Sequence, residues 1–248
     1  MSPLSSSKNY KSIMNLKYVI VSMDDNPLYT PFWDVIRPVL IKRIQVKPIL
    51  VKISNRDQIT DHSDYIVHEI KSIPNMNTGF QAQISRLFVP KFYADDICMT
   101  SDIDMLLINK NYFFNNSKNI AEDKFIILGA DAYPYKRYPI CYNIAKGSTF
   151  TELLGLENMS FESFCNQLQK RNQGWDTDEL FLAEKVNAFD SKRIQKFHRG
   201  WEFGTAIGRI DRGNWNYNSK RINSYIDSHL LRPYSKYKKE IDELVSLL

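Results

Sequence analysis

Asp102, Ile103 and Asp104 place two carboxylates one residue apart. They follow the apolar run Asp96-Ile-Cys-Met-Thr100 and directly precede Met105-Leu-Leu-Ile108. With 18 aspartates in 248 residues, an Asp-x-Asp triplet arises about once by chance, and a second occurs at Asp176-Thr177-Asp178. The position of the first is what informs. It sits at the carboxyl end of a predicted strand, where open α/β sheets bind ligands. An extended chain puts Asp102 and Asp104 on one side, about 6.5 Å apart, with Ile103 turned to the core. Both cannot stay ionised in an apolar interior, and the sequence offers them no other obvious partner. A hard divalent cation shared with phosphate oxygens would compensate them. One aspartate would bind the metal, the other a metal-bound water or a ribose hydroxyl. An exposed acidic turn is the plain alternative.

Gly174-Trp-Asp-Thr-Asp-Glu179 is the second group of interest. A loop with glycine and tryptophan feeds a helix whose first turn holds Asp178 and Glu179. The helix dipole favours acids there, so capping is the plain reading. His62 and His68 read as surface or strand-edge residues. Phe197, Trp201, Phe203, Trp215 and Tyr217 cluster in a loop-rich stretch. They read as core first and as sugar-stacking faces second. Asp211-Arg212 reads as an ion pair bracing that loop.

The elements that must position these groups alternate. Lys17–Met23, Lys47–Ile53, Tyr65–Ile70, Asp96–Thr100, Phe125–Gly129 and Tyr138–Ala145 read as strands. Phe32–Arg43, with a bend at Pro38, Thr78–Tyr93, Phe161–Arg171 and Thr177–Lys185 read as helices, and another begins at Thr149. Short alternation of strands and helices predicts an α/β domain with a largely parallel sheet. Residues 1–15 read as a loose leader, 16–235 as the domain and 236–248 as an amphipathic helix with apolar Tyr237, Ile241, Leu244, Val245 and Leu248.

Composition removes several classes. Apolar residues are 43% and charged residues 25%, which suits a globular domain and not a disordered chain. Three cysteines at no metal-like spacing disfavour a disulfide scaffold or a zinc ribbon. The absence of a signal-like apolar segment points to a soluble cytoplasmic protein. Net charge is +5, and residues 190–248 carry 12 Lys and Arg against 7 Asp and Glu. That excess is too sparse for a nucleic-acid stripe. It suits an anionic small substrate and, at most, peripheral contact with an acidic membrane.

Arg86-Leu-Phe-Val-Pro90 with Ile97-Cys-Met-Thr-Ser-Asp-Ile-Asp-Met105 resembles the nucleotide-sugar-dependent glycosyltransferases of the GT-A fold. It is similar in particular to small enzymes of large algal viruses and bacterial glycan clusters. The resemblance continues in Cys141–Phe150, Gly174–Leu180 and Asp227–Tyr234, in the expected order over about residues 17–235. It implies a GT-A (Rossmann-like) mixed, mostly parallel sheet flanked by helices. It also implies Mn2+ or Mg2+, a nucleotide-diphosphate sugar donor such as a UDP-sugar, and a glycan acceptor. By the same resemblance, Ser22, Asp24, Asn26 and Tyr29 would face the nucleobase and ribose, and Arg86 the diphosphate or sugar. Asp102 and Asp104 would hold nucleotide and metal, with His229 completing the metal shell and His198 as the other candidate. Arg232 or Lys236 would add positive charge at the leaving phosphate. Asp178 or Glu179 would serve as general base or position the reactants, and Trp175, Trp201 and Trp215 would meet the acceptor.

Two other functions compete. A nucleotidyltransferase making such donors usually opens with a glycine-rich phosphate loop after its first strand, and Met23-Asp-Asp-Asn-Pro27 has no glycine. A non-catalytic nucleotide- or carbohydrate-binding module would need neither Asp102 nor Asp178.

Overall fold

The computed structural model describes residues 14–133, 137–202 and 204–248. The expected leader lies almost wholly outside these residues, as does Phe203. Thirteen strands and seven α-helices are present among them. The strands are β1 (Leu16–Met23), β2 (Lys47–Ser54), β3 (Gln58–Asp61), β4 (Ile66–Lys71), β5 (Ile97–Thr100), β6 (Met105–Leu107) and β7 (Phe125–Leu128). They continue with β8 (Asn143–Lys146), β9 (Ile194–Phe197), β10 (Trp201–Glu202), β11 (Thr205–Ala206), β12 (Arg209–Ile210) and β13 (Asp227–His229). The helices are α1 (Phe32–Val39), α2 (Thr78–Phe88), α3 (Lys110–Asn115), α4 (Gly147–Leu154), α5 (Phe161–Gln169), α6 (Thr177–Ala188) and α7 (Lys238–Ser246).

Eight strands form one sheet in the order β3-β4-β2-β1-β5-β8-β7-β9. Only β3 and β8 run against the rest, so the sheet is mixed and mostly parallel. Buried on both faces, the central strands are continuous apolar runs, and the period of two divides their side chains between two cores. Val19, Val21 and Met23 of β1 join Met99 of β5 and Ile126 of β7 on one face, packed with α1 and α7. Tyr18 and Ile20, Cys98 and Ile127 join α2, α4, α5 and α6 on the other. The result is helix, sheet, helix in three layers.

Several local departures have physical causes. Pro38 stands inside α1, which gives way to a wider π-helical turn at Leu40–Ile44. The polar stretch after β2 supplies β3, an exposed antiparallel edge strand that lacks the apolar pattern of its neighbours. The C-terminal helix is shorter than expected, at Lys238–Ser246, and it seats Ile241 and Leu244 in the core that holds β1. No helix among the described residues is long and apolar enough to cross a membrane.

β8 turns into α4 at Gly147 with no room to spare. A Cβ there would lie 2.3 Å from the carbonyl oxygens of both Pro90 and Tyr93. Backbone cannot yield as a flexible side chain does. Gly147→Ala is therefore expected to destabilise the protein by about 1–3 kcal/mol, the usual scale for overpacking. A shift of the urea midpoint measures this, and an unchanged midpoint contradicts it.

Candidate active site

A cleft of about 550 Å³ opens at the carboxyl ends of β1 and β5. Its first wall is the end of β1 and the loop beyond it. Asp24 accepts the Asn26 N–H at 3.1 Å through Oδ1 and the Thr78 hydroxyl at 2.8 Å through Oδ2. Asn26 accepts the Leu28 N–H at 3.0 Å. These short side-chain-to-backbone bonds hold the loop. The Tyr29 hydroxyl accepts from the Arg232 guanidinium, which lies 5.2 Å from the Tyr29 ring centre. Ser22, Asp24, Asn26, Tyr29 and Arg232 all line the cleft.

Asp102 and Asp104 sit in a turn between β5 and β6, where the Met105 N–H bonds to the Asp102 carbonyl at 3.1 Å. The chain past the strand end is a turn and not the extended segment expected, yet Ile103 is buried and both aspartates line the cleft. The expectation that they lack partners other than a metal is corrected. Arg86 on α2 donates to Asp102, and through its other terminal nitrogen to Asp178 at 3.1 Å. Asp104 Oδ2 accepts from Arg212 Nη1 at 2.9 Å, with His229 Nε2 at 3.4 Å and Arg232 Nε at 3.5 Å. Burial alone would raise the Asp104 carboxyl. The His229 hydrogen bond and the charges of His229, Arg212 and Arg232 prevail and bring it to about 2.

β13 pairs antiparallel with β6 and sets His229 opposite Met105, and the Leu230 N–H bonds to the Asp104 carbonyl at 2.9 Å. The other imidazole nitrogen, Nδ1, lies 3.7 Å from Asp211 Oδ2. A carboxylate behind a histidine whose second nitrogen faces an acidic site is the common support of a histidine ligand. Asp102, Asp104 and His229 thus suit a hard divalent cation in donor type. Among the described residues no three such side chains already converge as a metal cluster; both carboxylates are paired with arginines instead. His198 is exposed, outside the cleft and near Asp131.

On the facing wall, a short 3-10 turn at Gly174–Asp176 leads into α6. Asp178 is 1% exposed, and its oxygens accept from Arg86, from Gln83 Nε2 at 2.9 Å and from the Glu179 N–H at 2.9 Å. Burial raises its carboxyl despite Arg86. Glu179 lies beside it with Arg137 Nε at 3.6 Å. Burial, reinforced by the Asp178 charge and opposed by Arg137 and Tyr133, lifts Glu179 to about 7. Asp178 is therefore braced from several sides, whereas Glu179 titrates near neutrality. Trp175 stands at the rim, 72% exposed, with its carbonyl held by Gln83 Nε2 at 2.6 Å. Trp201 and Trp215 do not line the cleft; Trp215 packs against the α1 side of the core.

The sequence reading gave no site role to Gln83, Tyr133 and Arg212, which line the cleft, or to Asp211 behind His229. Gln83 precedes Arg86 by three positions and shares its helix face, which was a usable signal. The neighbours Asp211 and Arg212 do not brace each other. One supports His229 and the other holds Asp104.

Beneath the cleft lies Asp227, wholly buried on β13. It accepts two hydrogen bonds each from Arg199 and Arg209 at 2.8–3.0 Å and one from the Tyr142 hydroxyl at 2.8 Å. Burial opposes its ionisation, but the two guanidinium groups hold it well below the carboxylate range. Asp227→Asn leaves two buried arginines facing an uncharged partner. A loss of about 3–5 kcal/mol is expected by urea denaturation. A loss below about 1 kcal/mol would show that the arginines find other partners.

The fold is that of the GT-A glycosyltransferases. The galactosyltransferase LgtC, solved with donor and acceptor sugar analogues, superposes with a TM-score of 0.51 at 9% identity, over 93% of this chain and 96% of its own. The apo form of the glycosyltransferase GlyE of Streptococcus pneumoniae TIGR4 gives 0.50 at 10% identity, over 94% of this chain and 63% of its own. A glycosyltransferase involved in glycosylation of the major capsid of PBCV-1 gives 0.46 at 10% identity, over 94% and 100%. No family model and no curated protein sequence matches the chain. Likeness at such identity establishes the fold alone.

Proposed function

We propose that the chain is a metal-dependent glycosyltransferase that moves a sugar from a nucleotide-diphosphate donor to a glycan or glycoconjugate, with a UDP-sugar as the first donor to test. One observation carries this reading. A single cleft at the carboxyl ends of β1 and β5 holds two aspartates, a carboxylate-backed histidine and, across from them, a glutamate that titrates near 7. The sugar analogues bound to LgtC, a protein of the same fold, lend support. The three cysteines are free, two of them buried, which suits a reducing cytoplasm.

Asp102, Asp104 and His229 would hold Mn2+ or Mg2+, which supplies Lewis-acid stabilisation of charge on the leaving diphosphate. The remaining work falls to the chain. Ser22, Asp24, Asn26 and Tyr29 offer the polar edge for base and ribose. Arg232, fixed against Tyr29, places positive charge where the leaving oxygen gathers negative charge. Arg86 holds Asp102 and Asp178 in register. Glu179, when ionised, takes the acceptor proton or steadies the oxocarbenium-like state. Trp175 gives an exposed aromatic face for a sugar ring.

The nucleotidyltransferase reading remains disfavoured, since β1 ends in side-chain-held turns and no glycine-rich phosphate loop. Calorimetry with UDP separates the readings. Metal-dependent UDP binding supports the proposal, and a cleft that binds no UDP with or without Mn2+ contradicts it.

Two further outcomes are expected. Transfer should rise with pH through an apparent pKa near 7, as Glu179 loses its proton. Glu179→Gln should abolish that limb and slow turnover roughly 100-fold or more, with UDP affinity kept. A pH limb that persists in the variant assigns it to another group. Trp175→Ala should raise the acceptor KM about tenfold, as loss of an aromatic anchor does, without altering donor KM. Equal effects on both substrates would remove Trp175 from the acceptor side.

A further inference from the structure

Asp104 Oδ2 is crowded by nitrogen. Arg212 Nη1 lies at 2.9 Å, His229 Nε2 at 3.4 Å and Arg232 Nε at 3.5 Å. A carboxylate oxygen has about two lone-pair directions, so these groups and a divalent cation cannot all be served by it. The nitrogens differ in how firmly they are held. His229 is backed by Asp211. Arg232 is fixed by the Tyr29 hydroxyl and lies close to its ring. Arg212 has Asp104 as its only hydrogen-bond partner among the described residues. It projects from the tight turn Asp211–Asn214, which is closed by the Asn214 N–H on the Asp211 carbonyl at 3.0 Å and by the Gly213 N–H on Asp211 Oδ1 at 2.8 Å. The backbone of the turn is held by these bonds, but the side chain is 29% exposed and lines the cleft.

We propose that Arg212 is a phosphate-binding residue of the donor site, and that its pairing with Asp104 competes with Asp104's binding of a divalent cation. The inference rests on the donor reading above. A dication on Asp104 repels the guanidinium beside it and supplies the neutralisation that Arg212 otherwise gives. Released from Asp104, Arg212 keeps its anchor in the turn and turns its fork of donors to the β-phosphate, the geometry guanidinium groups match best. Metal and diphosphate then bind interdependently, since each removes a cost of binding the other. No bond is made or broken in this exchange; only ion-pair partners change.

The test uses the full chain with three probes: Mn2+ alone, followed by electron paramagnetic resonance of the free ion, then UDP and UMP titrated in saturating Mn2+. Arg212→Gln is expected to bind Mn2+ alone several-fold more tightly, because a competing cation is gone. It should bind UDP roughly tenfold or more weakly, the scale of a lost charge-assisted hydrogen bond. UMP, which lacks the β-phosphate, should change less than about twofold, by the same reasoning. Arg212→Lys should fall between for UDP, since the charge remains and the fork is lost. Opposite signs for metal and diphosphate are the signature that simple bracing of the loop would not produce. Weaker binding of Mn2+, UDP and UMP together, or no change in any, overturns the proposal. A parent protein that binds UMP and UDP alike, with Arg212→Gln unchanged, overturns it while sparing the nucleotide site. A parent that binds no nucleotide in Mn2+ overturns the donor reading, and this inference with it.

Discussion

The structure turns on one buried carboxylate. Asp227 joins Tyr142 from the segment before β8, Arg199 from the segment after β9, and Arg209 on β12. Two guanidinium groups and one carboxylate leave a net positive charge in the interior, tolerable only because every Asp227 contact is a hydrogen bond of good length. β12 and β13 are two and three residues long and make little regular pairing of their own. The ion cluster holds them against β6. That fixes Asp211 and Arg212 beyond β12, His229 at the end of β13, and Asp104 just before β6, so three distant parts of the chain meet at one oxygen.

Above this anchor the acids of the cleft are matched to arginine, except Asp24, which is held by the Asn26 N–H and the Thr78 hydroxyl. Arg86 spans Asp102 and Asp178; Arg212 and Arg232 face Asp104; Arg137 faces Asp176 and Glu179. Matching keeps these five carboxylates close together without forcing most of them to take up protons. Glu179 has the weakest match, with Arg137 at 3.6 Å and Asp178 next to it, and its carboxyl rises to about 7. Under the proposed function, a carboxyl lifted to near neutrality is the one suited to proton chemistry.

The sheet was legible in the sequence because its central strands are buried on both faces and carry unbroken apolar runs, as in Tyr18–Val21 and Phe125–Leu128. The strand β3 was not, since an exposed edge needs no apolar side chains. The cleft was legible where chemistry concentrates in short segments: Asp102 with Asp104, Asp178 with Glu179, and Asp227-Ser-His229. It was illegible where function depends on pairing across the fold. Nothing near Asp104 in the chain announces Arg212, 108 positions away. Likewise Trp215 and Trp175 look alike in composition, and only packing sends one to the core side and the other to the rim.

The central claim of the proposal is that Asp104 exchanges Arg212 for a cation shared with Asp102, His229 and a nucleotide diphosphate. Crystals soaked in MnCl2 and UDP test it directly, with data collected for manganese anomalous scattering. The account predicts one anomalous peak between Asp102, Asp104 and His229, bridged to the diphosphate. UDP bound in the cleft with no peak there, and Asp104 still paired to Arg212, would contradict it.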